Sequence, residues 1–167
     1  MAGGTLGDWC NAKDRSWQEI MSRYIEAGQG LLAAHEAGLV HRDFKPDNVL
    51  ISKRGRIAVS DFGLVGSSNN NDDDLMIAEE NTSLDHGLTK TGEIMGTPLY
   101  MSPEQHLGES TNATTDQFSF CASLYEALYK QHPFGGTTYA ELLMNVLDQE
   151  MKSPPDSGIP THFFDVL

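Results

Sequence analysis

The chain has 167 residues, enough to bury one hydrophobic core and form one domain. It carries 24 Asp and Glu against 11 Lys and Arg, for a net charge of −13, and such a surface repels nucleic acid and anionic lipid. We therefore expect no nucleic-acid partner and no membrane contact from this segment. No run approaches the ~18 apolar residues of a membrane span, no signal peptide follows Met1, and the two cysteines lack disulfide or metal-ligand spacing, so we expect a cytoplasmic protein.

Residues 16–37 have the pattern of an amphipathic helix. Ser16 and Glu19 have the spacing of a capping box, and Gly38 suits the left-handed residue that ends a helix. Residues at intervals of three and four predict one buried face, which consists of Trp17, Ile20, Met21, Tyr24, Gly28, Leu31, Leu32 and His35. For His35 we expect a packed core histidine rather than a ligand.

Two polar motifs follow this helix. Residues 41–48 read His-Arg-Asp-Phe-Lys-Pro-Asp-Asn, and residues 60–63 read Ser-Asp-Phe-Gly. Between them, apolar runs at 49–51 and 56–59 flank a turn at 52–55, a pattern that predicts a β-hairpin and sets the two motifs side by side. Their Asp and Asn side chains are hard oxygen donors suited to Mg²⁺. The alternative interpretation treats them as ordinary turn formers.

These motifs resemble the catalytic loop (H-R-D-L-x-x-x-N) and the D-F-G segment of protein kinases, with Phe44 where the loop pattern has Leu. The resemblance implies a mainly α (α+β) fold, the large C-terminal lobe of a kinase with a small β-hairpin. It also implies transfer of the γ-phosphoryl group of ATP to Ser or Thr hydroxyls of protein substrates, with Mg²⁺ as cofactor. The Lys two residues after the loop Asp is typical of the Ser/Thr-specific branch.

The resemblance also implies roles for individual residues. Asp43 would accept or orient the proton of the attacking hydroxyl, and Lys45 would lie near the transferred phosphate. Asn48 and Asp61 would hold Mg²⁺ against the nucleotide phosphates. Leu50 would form the floor under the adenine ring, or it is an ordinary buried strand residue.

The segment at 61–104 corresponds to the activation segment of a kinase and is unusually long. Arg42 is the residue through which many kinases sense a phosphorylated activation segment, by charge-assisted hydrogen bonds. We expect phosphate on Thr89 or Thr91 to pair with Arg42. The alternative is that these threonines are merely exposed in a loop.

Residues 96–104 read Gly-Thr-Pro-Leu-Tyr-Met-Ser-Pro-Glu and resemble the substrate-docking loop and A-P-E element of bacterial kinases of the eukaryotic-like type. The resemblance implies that the Thr97 hydroxyl bridges the catalytic Asp and Lys. It also implies an arginine partner for Glu104 late in the lobe. No arginine occurs after Arg56, so we expect this anchor to be missing or to lie beyond residue 167.

Residues 115–129 are apolar nearly all round, which predicts a buried central helix. By resemblance, Asp116 in its first turn holds the catalytic-loop backbone from below. A second amphipathic helix is predicted at 138–151, with Leu142, Leu143, Val146 and Leu147 facing inward, followed by a linker at 153–160.

We find no G-x-G-x-x-G phosphate loop and no V-A-I-K lysine, so we interpret residues 1–167 as a partial kinase domain without the small N-terminal lobe. Absence of that lobe would lower turnover by orders of magnitude, since positioning and electrostatics supply most of the catalysis. One hypothesis is that the chain is a fragment of a longer Ser/Thr kinase. The alternative is a catalytically impaired remnant acting as a protein-binding module, which would not need all four of Asp43, Lys45, Asn48 and Asp61.

Overall fold

The structure is a computed structural model that describes residues 2–62 and 97–166. In chain order its helices and strands are β1 (Ala2–Thr5), α1 (Leu6–Asn11), α2 (Trp17–Glu36), β2 (Val49–Ser52), β3 (Ile57–Val59), α3 (Pro103–His106), α4 (Ala113–Tyr129) and α5 (Tyr139–Leu147). Short 3₁₀ turns lie at Pro46–Asn48, Thr97–Tyr100 and Thr161–Val166. The predicted mainly helical fold with a small antiparallel sheet is confirmed. Within the two described ranges, no helix combines the length and hydropathy needed to cross a bilayer.

The predicted ends of α2 are confirmed. The Ser16 hydroxyl accepts the Glu19 N–H at 3.3 Å, and the Glu19 carboxylate accepts the Ser16 N–H at 2.9 Å, which completes the capping box. Gly38 follows the helix with φ of +78°, a conformation that favours glycine. Sequence-local chemistry therefore fixes where this helix begins and ends.

The buried face of α2 differs from its prediction at one leucine. Ile20, Tyr24 and Leu31 are buried as predicted, but Leu32 is 56% exposed. Adjacent residues point about 100° apart on a helix, so Leu31 and Leu32 cannot both face the centre of the core. The small residues Ala27 and Ala34 complete the buried face of α2. The inclusion of Leu32 in the buried face was wrong.

Helix α4 is the central helix and packs against α2. The Tyr24 hydroxyl bonds to the main-chain oxygen of Ser123 at 2.9 Å, and the Tyr24 ring meets the edge of Phe120 with centroids 5.6 Å apart. The helix begins two residues before the predicted start because Asn112 caps it, accepting the Thr114 N–H at 2.7 Å. Burial around most of its circumference confirms the predicted central position.

The sheet contains the predicted hairpin and one strand that was not predicted. Strands β2 and β3 pair antiparallel, and β1 adds to the other edge of β2. The sequence of β1 holds two glycines, which weaken strand prediction. Gly3 is required there because a side-chain Cβ would come within 2.7 Å of the main-chain oxygen of Ile51. The close approach of two backbones thus explains why glycines occupy this strand, although glycine is rare in strands.

Helix α5 is shorter than predicted. It ends at Leu147 rather than at residue 151, because the chain turns through Gln149 with φ of +57° and Met151 pairs with Phe134 in an isolated β-bridge. Leu142 and Val146 are buried as predicted, whereas Leu147 is 40% exposed. The helix therefore ends where this tertiary contact forms, and no local sequence pattern predicts the contact.

His132 lies in the loop after α4 and packs against the loop that precedes α3. Its ring centroid is 5.5 Å from that of Tyr100, and its Nδ1 lies 3.3 Å from the main-chain oxygen of Phe134. Burial lowers the pKa of His132 to about 4. The folded protein therefore holds this histidine neutral at pH values where the unfolded chain protonates it.

This difference predicts a pH-dependent stability. As the pH falls from about 6.5 towards 4, only the unfolded state gains the proton, so the free energy of unfolding decreases, by about 2 kcal/mol at pH 5. In His132→Phe this loss disappears, whereas the exposed control His162→Phe keeps it. Urea denaturation at pH 7 and pH 5 measures the difference. An equal pH dependence in both variants would contradict the neutral buried state.

Candidate active site

The turn at residues 43–48 brings two of the predicted polar side chains, Lys45 and Asn48, to the carboxylate of a third, Asp43. Lys45 Nζ donates to Asp43 Oδ2 at 2.8 Å, and Asn48 Nδ2 donates to the same oxygen at 3.0 Å and to the Asp43 main-chain oxygen at 2.8 Å. Asp43 Oδ1 accepts no hydrogen bond from a described residue. The Asp43 side chain is 37% exposed, so the carboxylate is partly accessible to a reactant.

Asn48 and Asp61 are brought together through Ser60. The Ser60 N–H donates to the Asn48 main-chain oxygen at 2.8 Å, so Asp61, the next residue, stands beside Asn48. Asp61 has φ of +58° and an exposed side chain whose Oδ2 accepts the Ser60 hydroxyl at 3.1 Å. Because Asn48 uses its Nδ2 on Asp43, its Oδ1 remains an acceptor. Because β2 and β3 are antiparallel, Asn48 and Asp61 lie at the same end of the hairpin.

This donor set fits a magnesium ion that is shared with phosphate groups. Mg²⁺ prefers carboxylate and carbonyl oxygens, and in phosphate-transfer sites it takes only one or two protein ligands. Within residues 2–62 and 97–166 no group of three His, Cys, Asp or Glu side chains could hold a metal ion by itself. Asn48 and Asp61 would supply the protein's share of such a site.

His41 links the two halves of the site from inside the core. The side chain is fully buried, and its Nδ1 accepts the Asp43 N–H at 3.2 Å. Nδ1 therefore carries no proton, and Nε2 donates to the main-chain oxygen of Ser60 at 2.8 Å. The ring also packs against that of Phe62, with the two centroids 4.8 Å apart.

Phe44, the departure from the kinase pattern, is an anchor of the loop. It is fully buried, and its ring lies 5.5 Å from that of Phe120 on α4 and 6.0 Å from that of His41. Burying an aromatic ring of this size stabilises the fold by about 2–3 kcal/mol. The substitution of Phe for Leu thus keeps the loop seated on the central helix and leaves the polar chemistry unchanged.

Asp116 supports the loop from below, as predicted by resemblance. It is fully buried, and its two oxygens accept the main-chain N–H groups of His41 and Arg42, each at 2.7 Å. His35 lies 2.7 Å from Asp116 Oδ2 through Nε2. The sequence predicted a packed core histidine here, and the structure adds a polar partner for its ring. This partner is an acid 81 residues later in the chain, so no local sequence pattern could indicate it.

Glu104 has an anchor that the sequence did not suggest. Thr115 Oγ1, in the first turn of α4, donates to Glu104 Oε1 at 2.6 Å. Burial raises the pKa of the Glu104 carboxyl, but hydrogen bonds led by the Thr115 hydroxyl outweigh it, and the pKa is lowered. Thr115 thus supplies a partner for Glu104 in place of the arginine that the resemblance implies.

Other predicted site residues stay predictions. Leu50 lies half-buried in β2, between the buried Val49 and Ile51, and nothing in the described residues tests its role beneath an adenine ring. Thr97 begins a 3₁₀ turn, but its side chain lies outside what the structure describes. Thr89 and Thr91 lie outside the described residues altogether, so the pairing of their phosphates with the catalytic loop is untested.

The support from Asp116 predicts a stability defect. Asp116→Asn replaces one acceptor oxygen with a donor NH₂, which leaves a buried N–H unpaired, so the free energy of unfolding should fall by about 1–3 kcal/mol. Urea denaturation at pH 7 measures it. The exposed control Asp156→Asn should change the value by less than about 0.5 kcal/mol. Equal, small changes in both variants would contradict the structural role.

Comparison with known proteins agrees with this geometry. The profile of the protein kinase domain family matches residues 1–165. The serine/threonine-protein kinase PknD of Protochlamydia amoebophila is 32% identical over 137 residues, 81% of this chain and 14% of that relative. The serine/threonine-protein kinases PknL and PknA of Mycobacterium tuberculosis are 36% and 34% identical over 140 residues each, 83% and 84% of this chain.

The chain spans 31% of the length of PknL and 28% of the length of PknA, so it matches less than a third of each of these relatives. The match nevertheless covers nearly all of the present sequence and includes both motifs of the site. The chain belongs to the protein kinase domain family.

Proposed function

We propose that the protein is an ATP-dependent protein serine/threonine kinase and that residues 41–61 carry its catalytic centre. The observation that supports this most is the network in which Lys45 and Asn48 both donate to one oxygen of Asp43. The names of the similar proteins, each a serine/threonine-protein kinase, support the same reaction.

In the proposed reaction the oxygen of a Ser or Thr hydroxyl attacks the γ-phosphorus of ATP. The new O–P bond forms as the bond to the bridging β–γ oxygen breaks, and ADP leaves. Asp43 receives the hydroxyl proton on Oδ1, because Oδ2 already accepts the hydrogen bonds from Lys45 and Asn48. Lys45 and Asn48 hold Oδ2 and so fix the direction of the carboxylate, and the Lys45 ammonium offsets negative charge on the transferred group.

Bound Mg²⁺ would neutralise the nucleotide phosphates and draw electrons from the breaking bond. Asn48 Oδ1 and the Asp61 carboxylate would hold it. Asp61 combines a left-handed backbone, with φ of +58°, with an exposed side chain, so its carboxylate is accessible to a bound nucleotide. Asn48 therefore has two tasks in the proposal, since its NH₂ group orients Asp43 while its oxygen would bind the metal.

The proposed partners are Mg·ATP and proteins with accessible Ser or Thr residues. We further propose a reducing, cytoplasmic location for this part of the protein. Its two cysteines, Cys10 and Cys121, are both free, and burial raises the pKa of each thiol, so neither is activated for disulfide exchange.

The central prediction concerns Asp43. In the complete natural protein that contains residues 1–167, Asp43→Asn should lower kcat for phosphorylation of a mixed Ser/Thr peptide pool by about 10²–10⁴-fold, because the proton acceptor is lost. The matched control Asp14→Asn changes an exposed acid outside the site and should retain wild-type turnover. Transfer of radiolabelled γ-phosphate measures both.

Two results would contradict the proposal. Turnover that survives Asp43→Asn would remove Asp43 from the chemistry. A wild-type protein that transfers no phosphate but captures a protein partner would favour the binding-module alternative.

A second prediction concerns the metal. Asp61→Asn removes a charged Mg²⁺ ligand, so the Mg²⁺ concentration for half-maximal turnover should rise by about tenfold or more, while Asp14→Asn leaves it unchanged. Magnesium titration at saturating ATP gives this value. An unchanged Mg²⁺ dependence would place the metal on other ligands.

A further inference from the structure

Gln105 is the third residue of the short helix α3, and its carboxamide oxygen is used locally. Oε1 accepts the main-chain N–H of Ser102 at 3.1 Å, with the Ser102 hydroxyl at 3.4 Å. Ser102 precedes the helix and is fully buried. This half of the interaction is an N-terminal capping box, which any Glu or Gln at this position could make.

The other half of the carboxamide reaches the catalytic loop. Gln105 Nε2 donates to the main-chain oxygen of Arg42 at 2.6 Å, across 63 residues of sequence. Only an amide can do both, because a carboxylate has no donor and an apolar side chain has neither group. Asn carries the same amide group as Gln, but its side chain is shorter by one methylene.

The bond falls on the peptide unit that leads into Asp43. The oxygen of this unit, from Arg42, is held by Gln105, and its N–H, from Asp43, is held by His41 Nδ1 at 3.2 Å. Arg42 itself has φ of +66°, a left-handed conformation that a residue with a long side chain rarely adopts. Such a backbone persists only where its surroundings hold it. With the Arg42 N–H on Asp116, every polar main-chain atom of Arg42 has a partner.

We propose that Gln105 is a positioning residue for Asp43. It holds the plane of the Arg42–Asp43 peptide, and through it the direction of the Asp43 carboxylate, while its other end fixes the segment at 102–106. The segment that ends in α3 is thereby coupled to the catalytic loop. Gln105 touches no reactant. The catalytic part of this inference rests on the proposed kinase function, whereas the backbone part does not.

Two variants separate the donor from the acceptor. Gln105→Met removes both hydrogen bonds. Gln105→Glu keeps the bond from Ser102 but sets a carboxylate oxygen against the Arg42 carbonyl. This contact raises the pKa of the introduced carboxyl, and protonation supplies an O–H that can donate as the native NH₂ does. The exposed Gln29→Met serves as the matched control.

The backbone test uses amide hydrogen exchange of the 167-residue chain, read by NMR. At pH 7 the Asp43 amide should exchange about fivefold to tenfold faster in both Gln105 variants than in the wild type, as expected for one lost hydrogen bond. The His41 amide, held by Asp116, should keep its wild-type protection, which shows that the variants remain folded. Unchanged exchange at Asp43 in a folded Gln105→Met would overturn the inference.

The catalytic test uses the phosphorylation assay on the complete natural protein. Gln105→Met should lower kcat about fivefold to tenfold and leave the KM for ATP within about twofold, since orientation rather than nucleotide binding is lost. The ratio of Gln105→Glu to wild-type kcat should rise from about pH 7.5 to about pH 5.5 as the introduced carboxyl protonates, while the ratio for Gln105→Met stays flat.

A pH-independent ratio for Gln105→Glu would overturn the role of the donated hydrogen bond. A wild-type protein without phosphoryl transfer would overturn the kinase proposal, and the exchange of the Asp43 amide would still decide whether Gln105 holds the loop. The failure of one proposal is thus distinguishable from the failure of the other.

Discussion

The site depends on one buried carboxylate. Asp116 is removed from solvent, where an unpaired charge would be very costly, and it is satisfied by two main-chain N–H groups and the His35 ring. Short hydrogen bonds to an ionised acceptor are roughly twice as strong as neutral ones. The buried carboxylate and the loop backbone therefore stabilise each other.

A series of contacts connects this carboxylate to the rest of the site. Helix α4 carries Asp116 and is fixed against α2 by Tyr24. Asp116 holds the loop backbone at its start, so His41 can accept the Asp43 N–H on one ring nitrogen and donate to Ser60 with the other. One imidazole thereby joins the main chain of Asp43 to the main chain of Ser60, the residue before Asp61. None of these supporting groups needs to contact a reactant to influence the reaction.

The parts of this arrangement that local chemistry specifies were predictable from sequence. The capping box and glycine stop of α2, the hairpin and the central helix follow from short-range patterns, and the support of the loop by Asp116 follows from motif resemblance. The parts that were missed depend on distant partners. Strand β1 exists because two backbones approach at Gly3, and α5 ends where Met151 meets Phe134. His35 and Gln105 found partners 81 and 63 residues away, which periodicity cannot show.

Detection of scalar couplings through hydrogen bonds by NMR would test the central constraint most directly. The measurement correlates the main-chain nitrogens of His41 and Arg42 with the side-chain carboxylate carbon of Asp116. We expect both couplings, because both N–H groups lie 2.7 Å from its oxygens. Absence of both couplings, with rapid exchange of the two amides, would show that the loop is not held by Asp116 and would contradict the structural basis proposed for the site.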